Sequence, residues 1–161
     1  MSRHVKYVFF SLFLILVQSK MMTLLTLEGI TPDLLTIWVV YLDLKEGQLA
    51  AMPWGFAIGL VFDLLTGNFI GLSAPTKTVA GFTAGYFFNE NKTPLILGSY
   101  RFLVIVLIVS MMHNTIYFLI FTQGSSIGTM QAILQVGLAT TFYTATITLL
   151  PMLAFARKYI T

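Results

Sequence analysis

Six polar side chains in this 161-residue chain fall inside apolar runs: Lys20, Asp63, Lys77, His113, Asn114 and Gln135. Charged groups in such segments are costly to bury, so they face one another, a cavity or water. An acid and an amine at one level make an ion pair, and several such groups together make a polar pocket. Ser110, His113, Asn114 and Tyr117 share one helical face. A serine hydrolase built on Ser110 and His113 would also need an orienting group and an oxyanion hole. The sequence marks neither. His4 and His113 are too far apart for a metal motif, and the chain has no cysteine. Phosphate loops, zinc motifs, paired catalytic carboxylates and internal repeats are absent. The expectation is a protein that is not an enzyme, with no catalytic residue, metal site or bound cofactor.

The elements that hold these residues follow from composition. The chain is 57% hydrophobic and 9% charged, against about 25% charged in soluble domains. Lipid must cover most of it, in a single transmembrane domain. Nine Lys and Arg outnumber six Asp and Glu, an excess spread over short loops. That pattern is an orientation signal and not a nucleic-acid patch. Arg3 to Val17 resembles a signal peptide, but Gln18-Ser19-Lys20 follows where a small-residue cleavage site would stand. It reads as a retained signal-anchor helix.

A spanning helix needs about 20 mostly apolar residues. Six are predicted, over about 7–27, 32–44, 48–65, 72–88, 97–121 and 130–156, the last bent near Pro151. The first ends at Glu28-Gly29 and the fifth at Gln123-Gly124-Ser125-Ser126; the second is short and opens on Pro32. With six spans, Arg3, Lys6, Lys45, Lys92, Arg101, Arg157 and Lys158 all fall on one side. With five, Arg157 and Lys158 would face outward. The positive-inside rule therefore favours six spans with both termini in the cytoplasm.

Depth then aligns the polar residues. At 1.5 Å of rise per residue, Lys20 sits ~20 Å up the first helix and Asp63 ~23 Å up the third. Lys77 lies ~8 Å below the outer turn, and His113, Asn114 and Gln135 share that layer. Gly55, Gly59 and Asp63 are spaced by four, and Lys77, Gly81 and Gly85 repeat the spacing in reverse. Small residues at this spacing permit close backbone approach. The expected structure is a tight hairpin with Asp63 and Lys77 paired, directly or through Lys20. Two uses of the layer stay open: an outward pocket or partner-docking site, and a satisfied polar core that orients the bundle. Thr140, Thr141, Thr144, Thr146 and Thr148 are expected to bond helix carbonyls or neighbouring helices.

Several segments resemble a known family. Pro32-Asp33-Leu34-Leu35, Val39-Val40-Tyr41 and Gly47 are similar to the start of the MreD rod-shape-determining family. So are Gly55-Phe56, Gly59-Leu60 and Asp63-Leu64, then Gly71-Leu72-Ser73-Ala74, Lys77, Gly81-Phe82 and Gly85. The specific likeness runs from Pro32 to Gly85, a third of the chain. The resemblance implies a non-enzymatic, multi-pass component of the bacterial inner membrane, in the elongation complex that maintains cell shape. It implies MreC as partner and, through it, MreB, RodA and a class B penicillin-binding transpeptidase that build side-wall peptidoglycan. Membrane lipid and a homodimer are further expected partners, and nucleic acid is not. The family also looks like the six-helix S components of energy-coupling-factor transporters, so the alternative function is solute binding. Those proteins couple through alanines on the first helix, where this chain has none.

Overall fold

A computed structural model of the chain describes residues 3–24, 30–67, 69–123 and 128–160. They form α1 (Arg3–Leu24), α2 (Leu34–Glu46), α3 (Gln48–Thr66), α4 (Ser73–Gly85), α5 (Thr93–Leu97), α6 (Tyr100–Phe121), α7 (Thr129–Ala132) and α8 (Leu138–Ile160). A π-helical turn, Ile133–Gly137, joins α7 to α8. There is no strand among the described residues. The expected stops at Glu28-Gly29 and at Gly124 to Ser126 lie outside the described residues.

Among the described residues, three helices are long and apolar enough to cross a membrane: Gln48–Thr66, Tyr100–Phe121 and the continuous Thr129–Arg157. By contrast α2 and α4 have 13 residues each. That is ~20 Å of helix against a hydrocarbon core of ~30 Å. The fourth predicted helix therefore ends at Gly85 and not at Phe88. The fifth breaks at Gly98-Ser99, where Ser99 is extended (φ −124°, ψ 166°), so Leu97 belongs to the short α5.

Local chemistry sets the ends of α2. Asp33 is its N-cap, accepting the Thr36 backbone N–H, and Lys45 complements the dipole in its last turn. Gly47 has φ +85° and alone separates α2 from α3. Only glycine adopts that conformation without strain, so two helices meet at a one-residue corner.

Helix α2 is the centre of the bundle. It touches α1, α3, α4, α5, α6 and α8. Leu35, Val39, Val40, Leu42 and Leu44 are fully buried. One apolar cluster joins it to α4, α5 and α6, and a second joins it to α1 and α3. A helix apolar all round can be buried all round. The outside is apolar too: Phe9, Phe13 and Leu16 on α1 are exposed, while Ser11 and Gln18 on its other face are buried. Polar groups inside and apolar groups outside suit lipid as the solvent.

Candidate functional site

The short α2 leaves its first turn deep in the bundle, and the buried charges converge there. Asp33 Oδ2 lies 2.7 Å from Lys77 Nζ on α4 and 3.2 Å from His113 Nε2 on α6. It also accepts the Thr36 hydroxyl at 2.7 Å, while Oδ1 accepts the Thr36 backbone N–H at 3.0 Å. Lys77 donates a second bond to Thr36 Oγ1 at 3.3 Å. The Lys77 and His113 side chains are 2% and 6% exposed, and Asp33 is 14% exposed. A charge-assisted bond at this depth is strong because little water competes for it.

Backbone groups extend the cluster. Asp33 N–H donates to Thr144 Oγ1 on α8 at 2.9 Å. Gln18 on α1 clamps the same corner, donating to Pro32 O at 2.8 Å and accepting from Leu34 N at 3.0 Å. Five helices are thereby tied to three consecutive residues, Pro32, Asp33 and Leu34. Gln18→Leu should lower stability by about 1–3 kcal/mol, since it leaves a buried N–H and a buried carbonyl unpaired. A lower thermal unfolding midpoint in detergent would register this; an unchanged midpoint would remove the clamp's role.

The structure corrects the expected hairpin pair. Asp63 does not bond Lys77. Its Oδ2 accepts Gly71 N–H at 3.0 Å and Ser73 N–H at 2.8 Å, closing the α3–α4 turn. Gly71, at φ +91°, sets the turn that presents these amides to Asp63. Lys77 instead reaches across to α2. Nor does Lys20 bridge them: it is exposed, off the Tyr7, Ser11, Ile15, Gln18 stripe that α1 buries. Gln135 is likewise exposed in the π turn, accepting from Gln131 Nε2 at 3.3 Å. Asn114 is buried and donates to Gly137 O at 3.2 Å and Thr141 Oγ1 at 2.9 Å. The α6–α8 contact is thus tied beside the π turn.

The glycine stripes also divide. A Cβ on Gly55 would lie 2.7 Å from Lys77 O, and one on Gly59 2.6 Å from Ala74 Cα, so both pack on the α4 backbone. Gly81 faces α2 instead, where a Cβ would meet Asp43 Oδ2 at 3.0 Å, and Gly85 faces the Gln48 side chain. The threonines of α8 bond their own carbonyls: Thr141 to Gly137, Thr144 to Thr140, Thr146 to Phe142 and Thr148 to Thr144.

A cavity of about 230 Å³ adjoins the cluster, lined by Gln18, Asp33, Lys77, His113, Tyr117 and Phe121 among others. Ser110 is buried, and its hydroxyl makes no hydrogen bond among the described residues. No group of three potential metal ligands occurs among the described residues.

Sequence reasoning placed Asp33 only in a family motif and missed it as the central anion. It also passed over Gln18 and Thr36 as members of the cluster and the fully buried Asp43, whereas Thr144 bonds both its own helix and a neighbour, as expected. A signal was present: an N-cap acid opening a helix too short to reach the surface must sit at the depth of the intramembrane lysine. Pro32 stands just ahead of it and is buried, while Gly71 supplies the turn under Asp63.

No curated protein and no solved structure matches the chain. The sequence model of the rod shape-determining protein MreD matches residues 2–159, nearly the whole chain and far beyond the segments compared above. With its membrane-length helices and buried charge cluster, the chain belongs to the MreD family of rod shape-determining membrane proteins.

Proposed function

We propose that this chain is a non-catalytic subunit of the bacterial elongation complex. It binds MreC in the inner membrane and so supports cell shape and side-wall peptidoglycan synthesis by RodA and its transpeptidase. The observation that carries the reading is the family match over residues 2–159. The site is consistent with a scaffold: its acid, amine and imidazole are engaged with one another. A hub that fixes five helices at one buried point presents a constant outer surface, which is what a docking platform needs.

The proposal includes six membrane-embedded helices, α1, α2, α3, α4, α6 and α8, with both termini cytoplasmic. Tyr7 donates to Glu46 at 2.6 Å and Arg3 pairs with it at 3.2 Å, so α1 starts where α2 ends. Thr93 donates to Leu44 O at 2.7 Å, and a Cβ on Gly98 would lie 3.1 Å from Ala156. These contacts bring the start of α1, the α2–α3 corner, α5 and the end of α8 to one end of the bundle. The segments that carry Arg3, Lys6, Lys45, Lys92, Arg101 and Arg157 lie there, which supports a cytoplasmic assignment of that end.

The cavity favours a second reading, a solute-binding component like the S proteins of energy-coupling-factor transporters. One purification separates the two. The chain, tagged at its carboxyl end and extracted gently from its host, is expected to bring down MreC with cell-wall synthases. Recovery of two ATPases and a coupling membrane protein instead would overturn the scaffold and make the cavity a solute site.

A further inference from the structure

A second concavity, remote from the charge cluster, has a different chemistry. Helices α1 and α8 both pack on α2, and among the described residues their Cα atoms stay more than 8 Å apart. Between them runs an apolar groove of about 230 Å³, walled by Phe10 and Leu14 on one side and Ile147, Leu150 and Phe155 on the other. Its floor is α2, with Trp38 stacked on Tyr41 and Tyr41 stacked on Phe155 at centroid distances of 5.1 and 5.4 Å.

Lining and charge select the occupant. From Ile147 to Phe155 the groove is ~12 Å long, and its walls are almost wholly apolar, which suits an alkyl chain lying along it. The groove ends at Tyr41, and there Lys45 donates to the Tyr41 hydroxyl at 3.0 Å, with its ammonium 5.4 Å from the ring centroid. Lys45 is exposed and makes no salt bridge among the described residues, while the neighbouring acid Glu46 is taken by Tyr7 and Arg3. An apolar slot that ends at an unneutralised cation has the pattern of a phospholipid with a negative headgroup.

We propose that the α1–α2–α8 groove is a binding site for an anionic phospholipid. One acyl chain lies against Trp38, and the phosphate sits on Lys45, in the leaflet at the end of the bundle where α1 begins. The site is independent of the polar cavity and of the proposed role in the elongation complex.

The chain has only two tryptophans, Trp38 and Trp54, so Trp54→Phe leaves a single reporter in the groove. The full-length Trp54→Phe protein is reconstituted in phosphatidylcholine vesicles. It is then titrated with phosphatidylglycerol or phosphatidylcholine carrying brominated acyl chains, which quench tryptophan on contact. The expected result is quenching of Trp38 at about five-fold lower mole fraction of the glycerol lipid, the effect of one lysine at a lipid surface. Lys45→Gln, at an exposed position, should keep the fold and abolish the preference. Equal quenching by both lipids, or a preference that survives Lys45→Gln, would overturn the proposal. So would the absence of quenching by either lipid, which would mean that a partner helix or a second copy of the chain seals the groove.

Discussion

Lys77→Met is expected to destabilise the protein by about 3–5 kcal/mol, because it strands the Asp33 carboxylate in the bundle without its cation. Lys77 is 2% exposed and its ammonium lies 2.7 Å from Asp33. The loss should appear as a large fall in the unfolding midpoint in detergent and as poor accumulation in cells. The double variant Lys77→Met with Asp33→Asn should recover most of it. Asparagine keeps the N-cap bond to Thr36 but carries no charge, and removing both charges of a buried pair costs far less than removing one. If the double variant is no better than the single one, the cation acts through something other than Asp33. Asp63→Asn should behave differently, since its bonds to Gly71 and Ser73 depend on an acceptor that the amide oxygen can replace.

Gly59→Ala carries the second large effect, from geometry and not from charge. Its Cβ would sit 2.6 Å from both Ala74 Cα and Ser73 O and 2.7 Å from Ala74 N. All three are backbone atoms, so no rotamer change relieves the overlap and α3 must move away from α4. Overpacking of this kind costs about 1–3 kcal/mol and more where the backbone cannot yield. Separation would also stretch the Asp63 bonds to the same turn. Gly128→Ala is the matching control: φ is −63° and the nearest atom to a new Cβ is Gln131 Cβ at 3.9 Å. Denaturation of both variants in mixed micelles should show a clear shift for Gly59 and none for Gly128. Equal behaviour would mean that the α3–α4 contact is looser than described.

These two variants mark how much of the site was legible in the residues. The close α3–α4 approach was readable because a four-residue glycine spacing puts both glycines on one helical face, whatever lies opposite. Burial of Lys77 and His113 was readable because a charged side chain in the middle of an apolar run is costly to expose to lipid. The partner of Lys77 was not readable. Pairing Asp63 with Lys77 followed from their nearness in sequence across a turn. The choice between Asp63 and Asp33 depends on which carboxylate the turn amides reach first. Lys20 and Gln135 failed for a related reason: depth says how far along a helix a residue lies, not which way it points.

The sequence by itself determined that the chain lives in lipid, that it is helical, that α3 and α4 lie close together and that it resembles the MreD family. Each of these depends on composition or on spacing within one helix, which tertiary context does not change. Only the tertiary structure decided that α2 is the centre of the bundle, that Asp33 gathers α4 and α6 around one oxygen, and that α1 and α8 leave a groove between them. Those outcomes depend on which faces meet. In a chain apolar on nearly every face, the hydrophobic pattern does not choose between packing on lipid and packing on protein. The choice falls to a few polar atoms and to the lengths of two short helices, and their consequences exist only once the helices are assembled.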